Sequence, residues 1–223
     1  MFEQEKNYGV AKALNQIFEY ANKSGAKWVL TLDQDSVVPE NMMMEYEKYI
    51  DYSNIGIIGC QIQDRNIDTE IPVENKADIV NSLITSGSLT NVKIWREIGG
   101  FDEKLFIDFV DKDFCIRLIQ HGFILLKINA VKMKHAIGKT KMIKLFLLSI
   151  KIYNHPPVRK YYQMRNMIYL NQKYKRKLSI SLYFHIFIMF IKIILFEKQK
   201  EEKIQELIRG LIDGHKMRLN KIE

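Results

Sequence analysis

Residues 28–40 read W-V-L-T-L-D-Q-D-S-V-V-P-E. A short apolar run ends on Asp33 and Asp35, where glycine and asparagine would have made an ordinary turn. Residues at i and i+2 of a strand point to one side. Open α/β sheets bind ligands at the carboxyl ends of their strands. Two carboxylates at such an end form a hard-oxygen site for Mg²⁺ or Mn²⁺. Magnesium needs one or two protein carboxylates and fills its shell with water and phosphate oxygens, so the site implies a phosphate-bearing ligand. The plainer reading is that Asp35 or Ser36 caps the helix that follows. From these residues alone both readings stand.

Outward from this stretch, apolar spacing alternates between helix and strand. Residues 7–26 carry Val10, Leu14, Ile17, Phe18 and Ala21 at helical spacing, and Ser24-Gly25 stops them. Residues 27–32 predict a strand buried on both faces. Residues 36–50 restart a helix, with Pro39 near its first turn. Residues 54–62 predict a second buried strand. Residues 79–100 predict a strand, a Ser86-Gly87 turn and a short helix. A helix within residues 101–122 closes on Gly122, and residues 123–135 predict one long strand or two. The expected class is α/β, a sheet covered by helices. The expected domains are residues 1–145 and a basic, apolar helical region, residues 146–223.

The 223 residues are 47% hydrophobic and 27% charged, in keeping with a globular chain. The two cysteines, Cys60 and Cys115, lie in apolar runs and read as buried thiols in a reducing cytoplasm, not as a disulfide or zinc framework. The opening residues show no basic-then-apolar secretory pattern. The net charge of +8 is unevenly spread: residues 1–126 carry 12 Lys+Arg against 20 Asp+Glu, and residues 127–223 carry 22 against 6. A basic second half suits an anionic partner. Nucleic acid is not expected, because no base-stacking or groove-entering module is present.

A second acidic group is F-I-D-F-V-D-K-D-F-C-I-R-L, residues 106–118. Asp108 and Asp111, three apart, would share a helix face. Asp113 and Arg117, four apart, could simply pair. An ionised, partly desolvated carboxylate suits general-base work on a hydroxyl; acids that merely complement the helix dipole are the alternative. His135 follows the last strand and would complete a metal shell if the fold brought it to the same sheet end. Arg165, in R-K-Y-Y-Q-M-R-N (159–166), would meet a diphosphate or a glycan, or simply face solvent on an amphipathic helix.

The order of segments 7–15, 30–36, 85–118, 135–138 and 159–166 resembles glycosyltransferase family 2, and within it the bacterial rhamnosyltransferase group. The resemblance implies a GT-A-like, Rossmann-type mixed sheet. It implies metal-dependent, inverting sugar transfer from a nucleotide diphosphate donor such as dTDP-rhamnose to a glycan or lipid-linked acceptor, in cell-surface polysaccharide synthesis. Asp33 and Asp35 match the family's D-x-D, with Asp35 on the Mg²⁺ or Mn²⁺ and Asp33 near the ribose or the metal's water. Asp111 matches the catalytic base, with Asp108 in reserve; Val110 stands where Glu is usual. His135 matches the metal-site histidine, and Ser86 and Gly87 the turn lining the donor pocket. Members of the family begin with two further strand units that read base and ribose. Neither lies before Asn7, so an N-terminally truncated domain is expected. The rival expectations are a non-catalytic remnant that binds membrane or a partner, and a phosphohydrolase using the same acids.

Residues 178–196 form a 19-residue apolar stretch, roughly 28 Å as a helix. Ser181, His185 and Lys192 fall on one stripe of it, which favours a helix lying in a membrane interface over one crossing it. Flanking lysines and Arg176 suit an anionic surface. The expected location is cytoplasmic, peripheral on the inner face of the cell membrane; a helix buried against the sheet is the alternative.

Overall fold

The computed structural model describes residues 7–64, 76–135, 141–145, 148–175 and 180–217. The chain divides into two compact units, Met1–Phe106 with Val110–Ala136, and Ile107–Phe109 with Ile137–Glu223. The first unit runs α1 (Val10–Lys23), β1 (Trp28–Thr31), α2 (Met42–Glu47), β2 (Ile55–Asp64), β3 (Ala77–Ile79), β4 (Ser88–Asn91), α3 (Val92–Glu97), α4 (Val110–Gln120) and β5 (Ile124–His135). The second contains the hairpin β6 (Lys141–Leu145) and β7 (Leu148–Ile152), then α5 (Pro157–Lys175), α6 (Ile180–Phe196) and α7 (Lys200–Lys216).

The sheet of the first unit has the order β1-β4-β2-β5-β3. It is mixed: β2 and β5 are parallel, and the other neighbours are antiparallel. β2 is buried along most of its length, as its continuous apolar run predicts. β1 differs from expectation. It is an edge strand and all four residues are half-buried, because a neighbour covers it on one side alone. The helix expected over residues 36–50 shrinks to α2, since Pro39 and the turn after β1 take the preceding residues.

Between β2 and β5 the register jumps from Cys60↔Ile128 to Gln61↔Lys132. The extra residues of β5 form a bulge anchored by Asn129, whose amide donates to Asp78 at 2.7 Å and accepts from Gln61 at 3.2 Å. Beyond it, Lys132–His135 pair with Gln61–Asp64, which carries β5 to the end of the sheet where β1 stops.

Apolar side chains cover both faces of this sheet. Met42 and Tyr46 of α2 pack with Ile58, Cys60, Leu89, Ile128 and Met133. Elsewhere in the unit an aromatic chain links α1, α3 and α4: Phe18 lies 5.2 Å from Trp95 and 5.5 Å from Phe101, and Phe101 lies 4.3 Å from Phe114. Asn15, buried on α1, fastens this chain by bonding both the amide (2.8 Å) and the carbonyl (2.9 Å) of Phe101.

In the second unit α5 packs closely on α7. A Cβ at Gly210 would run into the Tyr161 carbonyl oxygen, so glycine is required for the approach. A buried charge cluster holds the unit together. Glu197 accepts from Lys160 at 2.7 Å and from Lys203 at 2.9 Å, and Lys203 also donates to Asn154 at 2.7 Å. Burial pushes the Glu197 carboxyl up, but the hydrogen bonds and charges of the two lysines outweigh it and hold it below its ordinary 4.5. Replacing it leaves two buried ammonium groups without their counter-charge. Glu197→Gln is expected to destabilise the second unit by about 3–5 kcal/mol, read by denaturant unfolding. A carboxyl with a lowered folded pKa stabilises above its ordinary range, and that stability is lost as pH falls through the folded value. The wild-type melting temperature should therefore drop below pH 4.5, and this drop should be smaller in Glu197→Gln.

Candidate active site

β1 ends at Thr31, so Asp33 and Asp35 lie on the turn beyond it and not on the strand. This corrects the expectation that strand alternation aligns them. What fixes them is a set of bonds to the turn preceding β4. The Thr31 hydroxyl donates to the Thr85 carbonyl at 2.5 Å, and the Gly87 amide donates to the Thr31 carbonyl at 2.8 Å. The buried Ser86 hydroxyl accepts from the Asp33 amide at 3.0 Å and shares a 2.7 Å hydrogen bond with the Ser36 hydroxyl. On the far side, the Val37 amide donates to the Lys134 carbonyl at 3.1 Å. Asp33-Gln34-Asp35 is thus an exposed turn tied down at both ends. The capping alternative fails: Asn41 holds the N-cap position of α2, and the Ser36 hydroxyl is bonded to Ser86.

The Ser86-Gly87 turn is set by what lies under it. Gly87 has φ 77°, and a Cβ there would come within 2.9 Å of Cys60 Sγ and Met133 Cε. Its carbonyl accepts a 2.6 Å hydrogen bond from the buried Tyr46 hydroxyl, whose pKa burial pushes far up, so it keeps the proton it donates. This floor was missed in the sequence. Tyr46 reads there as one more apolar position of a helix, and nothing local marks its hydroxyl.

Asp111 lies in the first turn of α4 and is half-buried. It lines a small hollow together with Leu83, Ile84, Thr85, Ser88, Phe114 and Cys115. The same short segment, residues 85–88, therefore borders Asp111 on one side and holds the D-x-D turn on the other. Asp113 is fully buried and pairs with Arg117 at 2.8 Å, as its spacing predicts, while Arg117 also donates to the Ile98 carbonyl. Cys115 hydrogen-bonds Leu83, and burial pushes its thiol up to about 11; both cysteines are free and buried.

Asp108 does not share a helix face with Asp111, which corrects the spacing argument. α4 begins at Val110, and Asp108 and Phe109 both adopt left-handed backbone, φ 62° and 67°. Two such residues in succession are strained and need outside support. Within the second unit Arg159 grips the Asp108 carboxylate through Nε (3.1 Å) and Nη2 (2.9 Å), and the Asn166 amide donates to the carbonyls of Ile107 (2.7 Å) and Asp108 (3.0 Å). The Asp108 carboxylate is thus taken up by a guanidinium. Arg165 bonds the Asn166 side-chain oxygen at 2.9 Å, with its guanidinium over the Tyr162 ring at 4.8 Å.

His135 is the last residue of β5, next to the Lys134 that accepts from Val37, so its backbone flanks the D-x-D turn. Its side chain lies outside the described residues. Among the described residues no three His, Cys, Asp or Glu side chains converge as a ready metal cage. Two exposed carboxylates on a fixed turn nonetheless fit a hard divalent ion that keeps water and phosphate oxygens in its shell.

The end of a mixed sheet thus carries the anchored Asp33–Asp35 turn, and segment 85–88 separates it from Asp111 at the start of α4. The glycosyl transferase family 2 profile matches residues 1–118. The dTDP-rhamnosyl transferase RfbF of Shigella flexneri is 31% identical, with 94% of this chain and 76% of RfbF covered. The crystal structure of GalNAc-T7 with UDP, GalNAc and Mn²⁺ superposes with a TM-score of 0.56 at 12% identity, covering 96% of this chain and 44% of that one. TarS (1–349) of S. aureus in complex with UDP-GlcNAc is similar at a TM-score of 0.48 and 14% identity, over 96% of this chain and 54% of its own. The chain thus spans about half the length of these solved structures. It belongs to glycosyl transferase family 2 and is rhamnosyltransferase-like within it.

The floor of the turn is testable. Gly87→Ala forces a Cβ against Cys60 and Met133 from a left-handed backbone. It should destabilise the first unit by about 1–3 kcal/mol, measured by denaturant unfolding.

Proposed function

We propose that the chain carries out inverting transfer of a sugar from a nucleotide diphosphate donor, dTDP-rhamnose, to a hydroxyl of a glycan or lipid-linked acceptor, in cell-surface polysaccharide synthesis at the inner face of the membrane. The observation that carries this reading is the segment 85–88, which borders Asp111 and anchors the Asp33–Asp35 turn at once. The likeness to RfbF, a dTDP-rhamnosyl transferase, supports the donor.

Asp33 and Asp35, with His135 beside them in the chain path, would hold Mg²⁺ or Mn²⁺, which supplies charge neutralisation at a leaving diphosphate. The anchored turn fixes the backbone that carries the two exposed carboxylates, so less of their placement is left to be ordered when the donor arrives. Ser86 and Gly87 shape the pocket wall between donor and acceptor. Asp111 accepts the proton of the acceptor hydroxyl as its oxygen bonds to the anomeric carbon, and the anomeric carbon–oxygen bond to the diphosphate breaks on the opposite face. The half-buried setting of Asp111 limits competing water around its carboxylate.

Calorimetry should show dTDP-rhamnose binding that depends on Mn²⁺ and is lost in Asp35→Asn. Asp111→Asn should lower transfer by about 10²–10⁴-fold while sparing donor binding. Transfer that survives in Asp111→Asn would refute the base assignment. Product analysis that finds free phosphate or free rhamnose in place of a glycoside would refute transfer itself.

A further inference from the structure

α6 has two apolar faces, and one of them is bare. Leu182 and Ile193 are buried, with Ile186, Met189 and Phe190 packed against the same core of the second unit. On the opposite side Ile180 is 90% exposed, Phe184 62%, Phe187 59% and Leu195 59%, with Ile194 and Tyr183 also in solvent. Spacings of four, three and seven residues set Ile180, Phe184, Phe187 and Ile194 on one stripe. Ser181, His185 and Lys192 run along one flank between the two faces. A contiguous apolar stripe of this size on a folded surface marks an interaction site.

The charges around the stripe specify the occupant. α6 contains no Asp or Glu, and Lys192 lies on its polar flank. Lys198 and Lys200 are exposed at its end. Glu197, the first acid after α6 in the chain, is buried and paired with Lys160 and Lys203, so its charge is not offered outward, and the exposed Glu201 and Glu202 follow only in the first turn of α7. A second copy docking on this stripe would bring like charges together, whereas an anionic lipid surface would meet them. Among the described residues no helix is long and apolar enough to cross a membrane. Tyr183, Phe184 and Phe187 are side chains suited to the headgroup boundary.

We propose that α6 docks in the plane of an anionic lipid bilayer, with Phe184, Phe187, Ile194 and Leu195 entering the headgroup–acyl boundary and Lys192, Lys198 and Lys200 meeting the headgroups. This rests on the membrane reading given under the proposed function and adds the face that makes the contact.

The test is flotation of the full chain with phosphatidylcholine vesicles, with and without phosphatidylglycerol. The wild type should float with the anionic vesicles far more than with the neutral ones. Phe184→Ser with Phe187→Ser, at exposed positions, should weaken this at least about tenfold with an unchanged melting curve and unchanged donor binding. Lys198→Gln and Lys200→Gln should each weaken it about fivefold and flatten its salt dependence. The proposal is overturned if the wild type does not float with anionic vesicles, or if the phenylalanine variant floats as well as the wild type. It is equally overturned if sedimentation velocity shows a dimer that the phenylalanine variant dissociates, which would give the stripe to a second copy. Loss of donor binding with vesicle binding intact would instead count against the transferase reading and leave this one standing.

Discussion

The first unit turns on one buried hydroxyl. Ser86 takes the Asp33 amide and the Ser36 hydroxyl together. A loop with two carboxylates two residues apart repels itself and is drawn toward water. Left alone it would sample many conformations, and each would have to be frozen again on binding a ligand. The hydrogen bonds to Ser86, Thr85 and Thr31 on one side and to Lys134 on the other settle that cost at folding. The Ser86-Gly87 turn keeps its unusual backbone because Tyr46, Cys60 and Met133 leave room for nothing larger. An exposed, charged feature thereby inherits the rigidity of the core beneath it.

The second unit solves a different problem with similar means. Its helices carry many cations, and two lysines are buried. Glu197 binds both, so the interior carries a short charge network and not a lone ammonium. Arg159 and Asn166 likewise support Asp108 and Phe109, two residues whose backbone no local preference would choose. Within the same unit α6 leaves a face of aromatic and aliphatic side chains in solvent. The unit thus pairs its two buried lysines with Glu197 and yet leaves this apolar stripe open.

Much of this is legible in the residues. The helical spacing of Val10, Leu14 and Phe18, the unbroken apolar run of β2 and the Asp113–Arg117 pair all appear where their patterns place them. Local pattern succeeds there because the deciding contacts lie one helical turn apart or along one strand. It misleads at β1, whose apolar residues resemble a central strand although the sheet order leaves it at an edge. It misleads again at Asp108, where spacing suggests a shared helix face and the backbone is left-handed.

The sequence by itself determined the α/β alternation, the acidic first half and basic second half, and the D-Q-D-S and F-I-D-F-V-D segments on which the resemblance to the family was read. Tertiary structure decided which acids share a neighbourhood. Thr31, Ser86 and Lys134 lie 48 to 103 positions apart, and the antiparallel pairing of β1 with β4 and the Val37–Lys134 bridge bring them around one turn. It also decided that Asp111 faces segment 85–88 while Asp108 is spent on Arg159. The physical reason is range: a hydrophobic period reports neighbours within a turn or a strand, whereas a site is made by hydrogen bonds that close loops of fifty residues or more.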